Sequence, residues 1–195
     1  MSLALSQPPW QDLSTHTRRT RMGVTIYEPP SRSPEEPRRE RAVERSGALL
    51  IRNDPQLQAL VAEASAVLHT SMAAVSIVYR DWQYLIAAEG MPTGPYSRRA
   101  SLCGHAILAT DTDEDVFCIP DAWRDPRFAD NPMLAGTQLL RFYAGAPLVD
   151  DDGLTLGMLC VIDSTPRDPL RPAERRRLSE LARLAVKRLE QLRPA

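Results

Sequence analysis

The chain has 195 residues, of which 43% are hydrophobic and 25% are charged, enough for one buried domain with residues left over for a tail. No apolar stretch approaches the roughly 20 residues that a membrane helix needs, and the first residues lack the basic start and apolar run of a secretory signal. Three cysteines are an odd number without metal-like spacing. The sequence therefore predicts a cytoplasmic protein with free thiols and no membrane partner.

The net charge of −1 hides an uneven distribution along the chain. Residues 46–164 contain 7 arginines against 15 acidic residues, whereas residues 165–195 contain 9 basic and 4 acidic residues. Nucleic-acid binding needs clustered Lys and Arg side chains that contact phosphates. Because the central region is acidic, we expect no nucleic-acid partner.

The N-terminal region is rich in proline and arginine and has little apolar periodicity. Such a segment cannot bury enough apolar surface to offset the entropy lost on ordering. We therefore predict a disordered leader over residues 1–44 and a single domain over residues 45–195. Within the leader, residues 23–28 (GVTIYE) fit either a lone strand or a docking peptide.

The domain shows alternating helical and strand patterns. Asp54 is a good cap for a helix that starts at Pro55, whose apolar residues recur at helical spacing. Two β-branched or apolar runs around a short turn predict a hairpin over residues 73–90. The later predicted elements are an irregular loop (90–101), a short helix capped by Ser101 (102–110), an acidic turn (111–115), a strand (115–120), an irregular stretch with one helical turn (121–140), two strands (141–149, 154–163) and a terminal helix (173–192).

Neighbouring strands joined by tight turns predict an antiparallel sheet with helices packed against it, an α+β fold. The acidic sequence DDDG at residues 150–153 fits a hairpin bend, because a calcium site needs six or more oxygens at spaced positions. We expect no metal site. In the terminal helix, Leu178, Ala182, Ala185, Leu189 and Leu192 recur at gaps of four and three and form a seam, which either covers the sheet of its own chain or pairs with a second copy.

Several motifs occur in one order: SLCGHAIL, IPDAWRDPRFADNPML and RFYAGAPLVDDDGLTLGMLCVIDSTPRDP, followed by an amphipathic helix. Together they resemble the GAF domain, of the bacterial sensory kind attached to histidine kinases and diguanylate cyclases. The resemblance covers residues 40–190. It implies a five- to six-stranded antiparallel sheet, with terminal helices on one face and short helices and loops over a small-molecule pocket on the other. It also implies a homodimer through the terminal helices and an output protein such as a separate kinase or cyclase.

The loop DAWRDPRF combines aromatic and charged residues. Arg127 or Arg141 could close an ion pair with Asp121 or Asp125, which is a purely structural role. The functional alternative is a pocket wall in which an arginine meets an anionic ligand and rings cover its apolar part. The predicted ligand-binding residues are Cys103, His105, Asp121, Trp123, Arg127, Phe128, Arg141 and Tyr143. No particular ligand or cofactor follows from the sequence.

Cys103 and His105 are the most reactive-looking pair, since a helix N-terminus favours a thiolate. The plainer alternative is a buried thiol beside a hydrogen-bonded histidine. Free-methionine-sulfoxide reductases with a GAF fold have a similar Cys-Gly segment, but they rely on a further cysteine in the loop before the fifth strand, and residues 131–140 contain none. Cys118 and Cys160 lie in apolar strands and are predicted core residues.

These observations predict a non-enzymatic sensory or regulatory module without catalytic residues, which binds a small molecule or a partner protein and signals through its terminal helices. The alternatives are a thiol-based redox enzyme or sensor that uses Cys103, and a structural dimerisation unit.

Overall fold

The computed structural model describes residues 27–109, 116–136 and 140–194. The described α-helices are α1 (Glu36–Ser46), α2 (Pro55–Leu68), α3 (Leu102–Ala109), α4 (Pro132–Gly136) and α5 (Pro172–Gln191). The described strands are β1 (Met72–Tyr79), β2 (Trp82–Glu89), β3 (Gly94–Ser97), β4 (Phe117–Ile119), β5 (Phe142–Val149) and β6 (Thr155–Asp163). In these ranges no helix is both long enough and apolar enough to cross a bilayer. The acidic turn predicted at residues 111–115 lies outside the described part.

The six strands form one antiparallel sheet in the order β3-β2-β1-β6-β5-β4. Two hairpins, β1-β2 and β5-β6, are joined by the pairing of β1 with β6, where Ala74 lies opposite Cys160. The prediction of an α+β fold with five to six antiparallel strands is confirmed. Strand β3 lies in the predicted irregular loop. It contains Pro95, which an edge strand tolerates because one side of its backbone has no partner strand.

Side chains alternate between the two faces of the sheet, as strand geometry requires. On β6, Leu159 and Val161 point to the face covered by α1, α2 and α5, which we call the helix face. Met158 and Cys160 point to the opposite face, covered by α3, α4 and loops, which we call the loop face. The predicted division into terminal helices on one face and short helices with loops on the other is therefore confirmed.

The helix face uses the predicted cap and the predicted seam. Asp54 accepts backbone hydrogen bonds from Gln56 (3.1 Å) and Leu57 (3.0 Å) at the start of α2. Its carboxylate also accepts a hydrogen bond from Arg188 Nη2 (2.6 Å), which joins α2 to α5. The seam residues with side chains fully covered within the chain are Leu178, Ala182, Ala185 and Leu189. Of the two alternatives for the seam, the structure uses the one in which α5 covers its own sheet.

Helix α1 starts inside the segment predicted to be a disordered leader. Its Ala42 and Val43 are buried in the helix-face core, and Glu36 is only 4% exposed. Glu36 binds Arg39 (2.8 Å between Oε1 and Nη2) and also Arg98, the residue that follows β3. The predicted boundary at residue 44 is therefore wrong, because residues 27–44 are part of the folded domain. Composition missed this because charged residues, not an apolar stripe, make many of the contacts.

Candidate functional site

Helix α3 places the predicted reactive residues on the loop face. The Ser101 hydroxyl accepts a hydrogen bond from the backbone N–H of Gly104 (3.0 Å), so Ser101 caps the helix as predicted. Gly104 allows the N-terminal segment to approach closely, since a Cβ at this position would lie 2.8 Å from Pro30 Cγ. The segment that precedes α1 therefore crosses over the start of α3.

Two thiols and a phenol meet beneath α3. Cys103 Sγ lies 3.9 Å from Cys160 Sγ on β6, and the hydroxyl of Tyr143 on β5 donates to Cys103 Sγ at 3.2 Å. All three side chains are at most 2% exposed. Burial raises the pKa of Tyr143 well above its ordinary value. The hydrogen bond with Cys103, together with burial, does the same to the pKa of Cys160. Burial opposes ionisation of Cys103, but the hydrogen bonds that its sulfur makes, including the one from Tyr143, lower its pKa below the ordinary value.

His105 forms a second group with Tyr27, which the sequence analysis did not predict as a site residue. The Tyr27 hydroxyl donates to the carbonyl oxygen of Arg99 (3.0 Å) and lies 3.0 Å from His105 Nε2. Because the hydroxyl has a single hydrogen, Nε2 acts as the donor to Tyr27. The imidazole also contacts the ring of Phe128 nearly at right angles, with centroids 5.0 Å apart. The sequence contained one indication of this contact, because residues 23–28 were considered as a docking peptide. Of these residues, Tyr27 and Glu28 lie in the described part.

The environment of His105 keeps its imidazole neutral. Burial, followed by the nearby charge of Arg127, lowers the pKa of His105 from 6.5 to about 4. Burial also raises the pKa of Tyr27 to about 12. At neutral pH this group therefore offers uncharged hydrogen-bonding partners between aromatic rings.

The predicted arginines both have carboxylate partners. Arg141 Nε donates to Asp121 Oδ1 (3.1 Å), its Nη2 binds Asp121 Oδ2, and its guanidinium lies over the ring of Trp123, 5.2 Å from the centroid. Arg127 binds Asp125 in the same two-pronged way, at 2.9 and 2.6 Å. These hydrogen bonds lower the pKa of both aspartates. Both arginines thus form the ion pairs that the sequence analysis considered as their structural role.

The predicted ligand-binding residues separate into two groups. Those on the loop face are Cys103, His105, Phe128 and Tyr143. Those at the start of β5 are Asp121, Trp123 and Arg141, of which Asp121 and Arg141 line an open groove of about 1040 Å³. Arg127 lies beside the loop-face group, because its guanidinium is 5.1 Å from the centre of the Phe128 ring. The groove is charge-balanced, since its Arg167 and Arg171 also pair with carboxylates.

The acidic turn between β5 and β6 is a hairpin bend. Asp150 Oδ1 accepts backbone hydrogen bonds from Asp152 (3.1 Å) and Leu154 (2.8 Å), and Gly153 has a positive φ of 76°. Across the described ranges, no group of three or more His, Cys, Asp or Glu side chains is arranged to hold a metal ion. The absence of a metal site in the whole protein stays a prediction.

The sequence profile of the GAF domain matches residues 53–189. Among solved structures, the GAF domain from Acinetobacter phosphoenolpyruvate-protein phosphotransferase has a TM-score of 0.58 and 16% identity, covering 82% of this chain and 95% of that one. The type II free methionine-R-sulfoxide reductase from Thermoplasma acidophilum has a TM-score of 0.56 and 16% identity, covering 70% of this chain and 91% of that one. At this identity the two structures show the fold alone.

A curated relative is the cyclic di-GMP phosphodiesterase PA2567 of Pseudomonas aeruginosa, 39% identical over 155 residues. The match covers 80% of this chain but only 26% of the relative. Because this relative is named for an enzymatic activity, the prediction that the protein is not an enzyme is wrong. The predicted role in bacterial signal transduction agrees with both findings. With its profile matched over residues 53–189, the chain belongs to the GAF domain family.

Proposed function

We propose that this chain is a sensory module of bacterial cyclic di-GMP signalling, which binds a small molecule on its loop face and thereby regulates phosphodiesterase activity. The name of the curated relative supports the choice of signalling system. One structural observation carries the sensory part: Tyr27, from the segment that leads into α1, is buried in the loop-face cluster at 6% exposure.

Tyr27 connects the two faces of the sheet. Its ring contacts His105 on the loop face, with centroids 5.9 Å apart. Residues 28–35 then lead to Glu36, where α1 begins and packs on the helix face. A ligand that takes the place of Tyr27 therefore moves the segment attached to α1. This supports transmission from the loop face to a terminal helix, by a shift between two packed arrangements.

The contacts of Tyr27 define the chemistry of the ligand. The Arg99 carbonyl offers one acceptor and the neutral His105 offers one donor, beside the Phe128 ring. Both arginines considered as anion contacts are already bound to aspartates. An anionic ligand would first have to break one of these ion pairs. We therefore propose an uncharged ligand with an aromatic or flat apolar ring and one hydroxyl or amide group.

The same proposal includes a cytoplasmic homodimer. The seam residues of α5 are used within the chain, so the contact between copies would involve the outer side of that helix. There Leu184 is 47% exposed and, with Val186, lines an open groove of about 560 Å³. The exposed apolar side chain among basic and acidic residues supports a polar interface with a small apolar centre. Native mass spectrometry of the intact protein measures the subunit count.

The test uses protein purified from its own cells. Native mass spectrometry is expected to show a retained small molecule, and the His105→Ala variant is expected to lose it. His69→Asn is the matched control, because His69 is an exposed histidine with a φ of 52° that asparagine tolerates. Hydrolysis of cyclic di-GMP is then measured with and without the molecule. The proposal would be contradicted if both variants retained the small molecule equally, or if the rate of hydrolysis were the same with and without it.

A further inference from the structure

We propose that Cys103 and Cys160 are a peroxide-responsive thiol pair that closes into a reversible disulfide across the loop face. This goes beyond the proposed function, because it concerns a covalent modification that needs no bound ligand. The two sulfurs belong to different elements, α3 and β6, and they are separated by 57 positions in the sequence. Sequence spacing alone therefore gave no indication of the pair.

The geometry requires only a small movement. The sulfurs lie 3.9 Å apart, and a disulfide brings them to about 2.05 Å. Rotation of the two side chains, with a slight shift of the short helix α3, can close that gap. Each sulfur has one further contact: Tyr143 donates to Cys103 Sγ, and Cys160 Sγ lies 3.6 Å from the carbonyl oxygen of Ala74.

The surroundings assign different roles to the two sulfurs. The Tyr143 hydroxyl stabilises negative charge on Cys103. The hydrogen bond with Cys103, together with burial, raises the pKa of Cys160 well above the usual value. The thiolate is the nucleophilic form of cysteine. Cys103 is therefore the sulfur that reacts with peroxide, and Cys160 is the one that resolves the product.

The chemistry is a two-electron oxidation in two steps. The Cys103 sulfur attacks hydrogen peroxide, an S–O bond forms, the O–O bond breaks, and the released hydroxide takes a proton and leaves as water. The Cys160 sulfur then attacks the sulfenic sulfur of Cys103, the S–S bond forms and the S–O bond breaks. The second hydroxide leaves as water with the proton of Cys160. In total, two thiols are oxidised to one disulfide and one peroxide is reduced to two waters.

The third cysteine provides an internal control. Cys118 packs against the helix-face core, on the side of the sheet opposite to Cys103 and Cys160. A sheet one residue thick separates it from the pair, so it cannot join them without unfolding. Burial of the pair makes its oxidation slower than that of a surface thiol, since peroxide must wait for a local opening of α3.

The test is disulfide mapping of the intact chain after treatment with hydrogen peroxide and alkylation of the remaining thiols. Cleavage at acidic residues is required, because residues 111–115 contain such sites between Cys103 and Cys118, whereas trypsin leaves these two cysteines in one peptide. We expect a linked pair of peptides that contain Cys103 and Cys160, with the loss of two hydrogen atoms, reversed by dithiothreitol. Cys118→Ser is expected to form the same link.

The Cys160→Ala variant is expected to stop at the sulfenic acid of Cys103, which dimedone traps. If that variant does not fold, mapping of the wild-type chain and of Cys118→Ser still decides the matter. Three free thiols after treatment, a link that involves Cys118, or a wild-type chain in which Cys103 goes only to sulfinic or sulfonic acid would overturn the proposal.

Discussion

Replacement of Glu36 by glutamine tests whether the segment before α2 belongs to the fold. The carboxylate of Glu36 binds two buried guanidinium groups, those of Arg39 and Arg98, whose side chains are 8% and 4% exposed. The substitution keeps the shape of the side chain and removes its charge. Two buried guanidinium charges are then left without a counter-charge, which lowers the free energy of unfolding.

The expected loss follows from the class of interaction. Removing one partner of a buried ion pair costs about 3 to 5 kcal/mol of the free energy of unfolding. Glutamine still accepts a hydrogen bond, and Arg39 keeps its bond to the carbonyl oxygen of Val78 (2.6 Å), so we expect the lower end, about 3 kcal/mol. For a domain of this size, that corresponds to a melting temperature lower by roughly 6 to 12 °C.

Urea denaturation followed by circular dichroism measures this loss. Glu35→Gln is the matched control, because Glu35 precedes Glu36 and its side chain is 65% exposed beside Arg38. We expect the control to change the free energy of unfolding by less than about 0.5 kcal/mol. A loss for Glu36→Gln that equals the loss for the control would refute the reasoning, and would return residues 27–44 to the leader.

Three further results are expected. Tyr27→Phe should lower the free energy of unfolding by about 1 kcal/mol through its lost hydrogen bonds, and Tyr27→Ala by about 3 kcal/mol through lost packing; equal losses in urea denaturation would mean that the ring is not buried. The His105 imidazole should titrate near pH 4 by NMR, and Arg127→Ala should raise its pKa by removing a nearby charge, whereas a wild-type midpoint of 6.5 would contradict the described burial. Burial opposes ionisation of Glu36, but the hydrogen bonds from Arg39 and Arg98 prevail and lower its pKa from 4.5 to about 2. Its contribution to the free energy of unfolding should therefore be complete above pH 4.5 and disappear as the pH falls toward 2. Denaturation of the wild type and of Glu36→Gln at a series of pH values would measure this.

Much of the fold could be predicted from local patterns. Alternating apolar residues and tight turns indicated the hairpins β1-β2 and β5-β6, and the Asp54-Pro55 pair indicated the start of α2. The pairing of β1 with β6 joins segments far apart in the chain. Local patterns could not predict it, and the family resemblance implied a single antiparallel sheet without its strand order. The leader boundary at residue 44 failed because α1 is held by buried ion pairs, which resemble solvated charge in a composition count.

The candidate site was predictable only in part. The ion pair of Arg141 with Asp121 was among the alternatives considered, although the two residues lie in different motifs, 20 positions apart. Cys160 was correctly predicted to be buried, but its approach to Cys103 depends on how α3 lies across β6. The position of Tyr27 could not be predicted, because the sequence around it does not indicate which face of the sheet its ring will contact.

We propose that a ligand on the loop face acts on helix α1 through Tyr27. Amide hydrogen exchange tests it most directly, with protein that retains its cellular ligand compared against the same protein freed of it by unfolding and refolding. We expect the ligand to slow amide exchange in α3 and to speed it in residues 27–46. Protein that carries no small molecule, or a ligand that leaves exchange in residues 27–46 unchanged, would contradict the claim.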